Sequence, residues 1–220
     1  TLREIIGEEG LYAFQDLTVS GPLNGSDFRT LREMMGCAVE GTSTDGRLSR
    51  LDLTDASIVS GGDTYDGSHY TNPDVLGVGM FADCLFLEEI RLPYGVIEIE
   101  KNAFEGCAEL KLFNIPALTA KVASSAGCVN LSKIHVDVTN EKYASHDGCL
   151  YSADFTTLYW WPEGKRQIHE RFPEQLKRIE SYAFQYMQLA ELPLPSSVSE
   201  LGIGSFYASG LESFTVPAKV

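Results

Sequence analysis

The sequence predicts an α/β solenoid, a single continuous domain in which short coils stack and parallel strands line one face. Three observations predict it. Phe, Cys, Leu and Pro recur at the same offsets in "FADCLFLEEIRLP" (81–93) and "FEGCAELKLFNIP" (104–116), and drifting copies follow at 125–137, 184–195 and 206–217. The residues ending the copies, Pro93, Pro116, Asp137, Pro173, Pro195 and Pro217, are spaced 23, 21, 36, 22 and 22 apart. Apolar residues also recur eight and five places before each Phe: Val96 and Ile99, Leu176 and Ile179, Val198 and Leu201. A unit of about 22 residues is too short to bury its own apolar face, so its neighbours must supply the core.

Each part of the unit follows from its pattern. The Ile-x-Leu-Pro segments ("IRLP", "FNIP", "LPLP", "FTVP") alternate with period two, as short strands do, and proline stops them. In Ala-Phe-x-x-Cys-x-x-Leu the apolar residues fall three apart, which suits one or two helical or 3₁₀ turns on the opposite wall. One strand per unit makes neighbouring strands parallel.

Along the chain, residues 1–47 read as an N-terminal cap with a first strand and a helix. Ser26 is placed to cap a helix from about Asp27 to Met35, with Phe28, Leu31, Met34 and Met35 on one face. Residues 48–220 read as repeats. The Gly-rich "GGDTYDGSHYTNPD" (61–74) gathers Asp63, Asp66, His69, Asn72 and Asp74, but matches neither calcium-loop spacing and reads as a long connection. "DG" inside "KYASHDGCLY" marks a hairpin. The hairpin sits in an expanded, aromatic-rich repeat at about 138–172. Val220 stands three residues after a proline, the place of Val96, so a further repeat or another molecule is expected to cover that edge.

Composition narrows the function. Of 220 residues, 44% are hydrophobic, and 31 acidic against 17 basic residues give a net charge of −14. That charge disfavours nucleic acid and anionic membrane surfaces as partners. No apolar run is long enough to insert in a membrane, and "TLREIIGEEG" lacks a signal-peptide pattern, which leaves a cytosolic chain or one whose targeting segment has been removed. Five cysteines are too few for a disulfide framework. Cys84, Cys107 and Cys128 form a column without the close pairs a metal site uses, so they read as small core residues. His146, Asp147 and Cys149 are neighbours on a turn, not partners converging in space.

The unit resembles the BspA-like leucine-rich repeat, built around "AF..C..L..I.LP", from residue 79 to 217. The upstream "LTVSGPLNGSDFRTLREMMG" and "LSRLDLTDASIVSGG" are similar to segments that accompany such repeats in gut Bacteroides proteins. The third copy departs from the pattern with Ser125 in the Phe slot, and the last two lose the Cys. The resemblance implies a right-handed leucine-rich-repeat horseshoe with parallel strands on its concave face. It also implies a secreted or surface-displayed bacterial protein, a lipoprotein being one form of it, acting in adhesion or protein binding.

In such a horseshoe, outward strand residues form rows: Asp16 and Thr18, Arg50 and Asp52, Glu89 and Arg91, Leu112 and Asn114, Lys133 and His135, His169 and Arg171, Glu191 and Pro193, Ser213 and Thr215. Eight rows span roughly 34 Å, enough for a protein or glycan. The candidate binding residues are Arg91, Asn114, Lys133, His135, His169 and Arg171, a strip suited to an anionic partner, with Lys165 and Arg166 just before it. Trp160 and Trp161 are adjacent, so one is expected to face outward as a binding anchor. No catalytic motif, metal site or cofactor site is predicted. The expected function is a non-enzymatic interaction or adhesion module, with a passive spacer or a glycan-binding accessory as alternatives.

Overall fold

The computed structural model describes residues 1–39 and 42–220; Glu40 and Gly41 of the predicted 1–47 segment lie outside them. The chain begins with α1 (Leu2–Gly10), β1 (Asp16–Thr18), β2 (Gly21–Leu23) and α2 (Gly25–Met34). Helix α2 forms where expected and buries Phe28, Leu31, Met34 and Met35 completely. Its cap is Asn24, not Ser26: Asn24 Oδ1 accepts from Ser26 N at 3.0 Å, and Asp27 Oδ2 reaches back to Asn24 N at 3.0 Å. Ser26 Oγ instead accepts from Asp63 N. Helix α1 has its own capping box, Thr1 with Glu4, and Asp27 Oδ1 ties the two helices by accepting from Leu2 N at 2.7 Å.

The repeats contribute two stacks of parallel strands. One stack runs β1, β3 (Arg50–Asp52), β6 (Glu89–Arg91), β8 (Leu112–Ile115) and β10 (Lys133–Val136), in which β6 and β8 are Ile-x-Leu-Pro segments. Its register places Asp16, Arg50, Glu89, Leu112 and Lys133 side by side, as the rows predict. Of the residues eight and five before Phe, Val96 and Ile99 are buried, and Ile99 lies in the second stack: β5 (Val75–Leu76), β7 (Glu98–Ile99) and β9 (Lys121–Val122). Strand β4 (Ala56–Ile58) pairs with β2. Between strands, the Phe-x-x-Cys segments form i→i−3 turns, such as Cys84 N to Phe81 O and Leu87 N to Cys84 O.

The turns stack by a repeated backbone bond. Asp83 N donates to Glu105 O, Gly106 N to Ala126 O, and Tyr186 N to Tyr207 O. The donors all have positive φ, at 58°, 71° and 58°. Gly127 holds the same place at φ 78°, and a Cβ there would lie 3.1 Å from Gly106 backbone atoms. Phenylalanines pack in a row inside: Phe28 edge-on to Phe81 at 6.0 Å, Phe81 stacked on Phe104 at 5.8 Å, Phe104 tilted against Phe113 at 5.0 Å.

The expanded repeat breaks the long sheet. The hairpin of β11 (Tyr143–His146) and β12 (Cys149–Ser152) turns at Asp147 and Gly148 and docks on β10, where Ile134 N donates to Gly148 O. The pairing then continues through β13 (Thr157–Trp160), β14 (Arg178–Ile179) and β15 (Glu200–Leu201), the last two parallel to it. Three predicted strands do not form: 169–171, 191–195 and 213–217 lie outside any ladder. The hairpin occupies the side of β10 that the first needed. The second contains Pro193, which has no N–H to donate, and Leu194 N turns to Leu192 O. In the third, among the described residues, only Ser213 N bonds across, to Ala190 O, which Glu212 N also meets.

Two buried clusters result, and β12 divides them: Leu150 packs into the first, Cys149 and Tyr151 into the second. Trp160 and Trp161 are divided in the same way.

Candidate functional site

The outward face of the long sheet carries two columns of side chains, and much of their charge is neutralised within it. Asp16 and Arg50 form a two-pronged ion pair. Arg91 Nη1 lies 3.8 Å from Asp52 and its Nε 3.7 Å from Glu89, so the predicted cation sits between two carboxylates. Asn114 Oδ1 accepts from Leu92 N at 2.8 Å, giving the side chain a structural duty beside any binding role. Lys133 and His135 are exposed at the end of the sheet, and Lys133 joins no ion pair among the described residues.

Beside them, the hairpin and residues 164–170 raise the walls of a groove of about 880 Å³. Lys133, His135 and His169 all line it, together with Arg166, Asp137 and Glu170. Arg91, Asn114 and Arg171 do not. His169 reaches the groove from an irregular segment, not from a strand row, because its N–H donates to Asp147 Oδ2 at 3.0 Å. Arg171 is held by its carbonyl, 2.8 Å from His146 Nε2.

A buried ion pair pins the walls together. Lys165 Nζ lies 2.9 Å from Asp147 Oδ1, with side chains only 5% and 9% exposed, and above the Trp161 ring at 5.3 Å. Burial pushes the Asp147 carboxyl up, but hydrogen bonds from Lys165 and the His169 N–H outweigh it and hold the group below its usual range. Lys165 is therefore a strut of the groove, not a free cation of the strip. Around the rim, Asp137 accepts from the Thr139 hydroxyl and N–H, which lower its pKa. With the histidines neutral, Lys133 and Arg166 face Asp137 and Glu170, so the groove is balanced in charge where the chain as a whole is acidic.

Trp160 is not a surface anchor. It is 4% exposed and packs at a tilt against Phe113 at 5.6 Å, while Trp161 is 1% exposed against Phe184 at 5.6 Å. Strand β13 ends at Trp160, so alternation does not carry on into Trp161. Trp161 N already donates to Ala183 O, as Phe81 N does to Ala103 O. Trp161 thus fills a Phe slot, an assignment hidden by the aromatic substitution. The cysteines are all buried and unpaired; Cys107 and Cys128 donate to the Phe81 and Phe104 carbonyls at 3.0 and 3.1 Å. Burial pushes the Cys84 and Cys128 thiols up to about 12. Among the described residues no His, Cys, Asp and Glu cluster could hold a metal, and in the 61–74 loop Asp66 is taken by His69 Nδ1 at 2.7 Å.

Six copies of the BspA type leucine-rich repeat region match residues 74–160 and 163–220. The chain belongs to the BspA-type leucine-rich repeat family. The gap at 161–162 falls where Trp161 replaces Phe and Pro162 follows it. This BspA-type chain shares its fold with a leucine-rich repeat protein from Eubacterium ventriosum, at 18% identity and TM-score 0.50, covering 94% of this chain and 62% of that one. A leucine rich cell surface protein from Faecalibacterium prausnitzii matches at 27% identity and TM-score 0.57, over 78% of this chain and 42% of that one. The BspA-type chain thus spans less than two thirds of either structure. No curated protein matches it. Repeats of this family are interaction or surface-protein modules and are typically non-enzymatic. No helix among the described residues is long and apolar enough to cross a membrane.

Proposed function

We propose that this chain is a non-enzymatic binding module of a secreted or cell-surface bacterial protein. Its repeats form a right-handed horseshoe closed at the start by α1 and α2, and its partner is a protein lying across the concave face. The partner presents an acidic group to Lys133 in the groove. The observation that carries this reading is the groove itself, because a repeat surface that served only as a spacer has no need of a cleft braced by a buried ion pair. The mixed charge of its rim suits a polypeptide segment, whose amides satisfy Asp137 and Glu170 while a carboxylate meets Lys133.

The test is surface plasmon resonance of the immobilised chain against a panel of acidic extracellular proteins, with heparin alongside, at low and high salt. Binding that weakens with salt and falls at least tenfold in Lys133→Glu supports the reading. Binding indifferent to Lys133→Glu, or binding to heparin alone, rejects it. The Faecalibacterium protein's description as a cell surface protein supports the location.

A further inference from the structure

A second cleft, of about 530 Å³, opens on the turn side of the molecule, away from the long sheet's strands. It exists because the turn stack is interrupted. Where Asp83, Gly106 and Tyr186 each donate to a backbone carbonyl of the next turn, Gly127 N donates to a side chain, Glu163 Oε1, at 2.8 Å. The Phe-slot bond is kept, Trp161 N to Ala183 O, but Glu163, two residues on, makes no such backbone bond to the turn that carries Tyr186 among the described residues, and the small residues Ser125, Ala126 and Gly127 leave space beside it. The gap there is lined by Ala126, Gly127, Val129, Glu163, Arg166 and Tyr186, with Glu105 and Gln188 at its rim.

Glu163 is 5% exposed, yet only one of its oxygens is used: Oε2 makes no hydrogen bond among the described residues. Burial also pushes its pKa up, against the pull of the Gly127 N–H. A carboxylate with one oxygen held by Gly127 N and the other open to a cleft, beside an aromatic side chain, is suited to accept from a ligand. The rim decides the ligand's charge. Arg166 opposes a cation, and Glu105 and Glu163 oppose an anion. A neutral ligand carrying several hydroxyls meets both: it donates to Glu163 Oε2 and Glu105, and accepts from Arg166 and the Gln188 amide. Its C–H face lies against Tyr186, Ala126 and Val129. The volume falls within the roughly 300–1,000 Å³ of small-molecule sites.

We propose that this cleft is a binding site for one or two neutral pyranose units. It shares only Arg166 with the groove beside Lys133 and does not depend on that groove binding a protein.

The experiment is saturation-transfer NMR of the whole chain with maltose, cellobiose and N-acetyllactosamine, supported by an array that also carries sialylated and sulfated glycans. At least one neutral sugar should receive saturation. Its affinity should fall at least tenfold in Tyr186→Gly and in Glu163→Gln, and stay unchanged in Lys133→Glu. Tyr186 has φ 58°, so glycine relieves the backbone there, and the glutamine keeps an acceptor for Gly127 N. Near-UV circular dichroism confirms that both variants remain folded. No neutral sugar bound, binding that survives both substitutions, or binding confined to sialylated and sulfated glycans each overturns the assignment.

Discussion

Replacing Lys165 with methionine removes the strut between the hairpin and residues 164–170. At the observed 2.9 Å, the attraction between Lys165 and Asp147 at an effective dielectric near 20 is roughly 6 kcal/mol. Most of it is offset by taking two charges out of water. In Lys165→Met that desolvation remains for Asp147, 9% exposed, with the His169 N–H still donating to its Oδ2. The expected loss is about 3 kcal/mol, and Asp147→Asn should cost a similar amount by stranding the ammonium. The double variant should lose much less than the sum, because neither charge is left alone. Urea denaturation of the four proteins at pH 7 measures this directly. The Asp147 pKa is lower folded than unfolded, so its contribution is present above the unfolded value of about 3.9 and fades as pH falls through the folded one. The gap between the chain and Asp147→Asn should therefore close in acid. A loss under about 0.5 kcal/mol in Lys165→Met, or strictly additive single variants, would refute the strut.

Ala208 is exposed at φ 51°, and Ala208→Gly should raise stability by about 1 kcal/mol in the same urea assay, with no change or a loss counting against strain at that turn. Native protein should leave all five thiols unreactive toward Ellman's reagent, and denatured protein should expose five; one fast native thiol would contradict the buried column. Tryptophan emission should be blue-shifted and poorly quenched by acrylamide, since Trp160 and Trp161 are 4% and 1% exposed. Phe104→Ala should cost about 3–5 kcal/mol by opening a hole between Phe81 and Phe113, read as a lowered urea midpoint.

What repeats was legible, because packing repeats. Phe81, Cys84, Leu87, Ile90 and Leu92 are all buried, and the register of five strands follows from aligning the terminal prolines. The hairpin at Asp147 and Gly148 announced itself by its turn chemistry. What failed lies where local pattern and neighbours disagree. The strand pattern at 191–195 and 213–217 needs a ladder partner that Pro193 cannot provide, and no alternation reveals that. Helix α1 was not singled out, although Leu2, Ile5 and Ile6 fall at helical spacing and Thr1 with Glu4 forms a capping box; both signals could have found it. For the site, three of the seven candidate residues, Lys133, His135 and His169, meet in one groove. Arg91 shares its predicted row with Glu89 and its column with Asp52, so the rows already held both carboxylates that flank it. Lys165 and Asp147 lie 18 positions apart, and only the docked hairpin brings them together.

The break at Trp161 also governs how the molecule comes apart. An array of repeats behaves as a row of coupled units, each held by its neighbours, and it melts as one body only while every coupling exceeds the instability of the units it joins. In the turn stack Asp83, Gly106 and Tyr186 join backbone to backbone; at Gly127 that bond is replaced by one side-chain oxygen over an open cleft, and among the described residues the joint keeps only Gly164 N to Leu131 O and the hairpin's docking on β10 as backbone links. That is the seam of the structure. Under tension applied along the stack, the first cluster and the second should separate there, each keeping its own aromatic spine, so the chain would extend in two steps and not one.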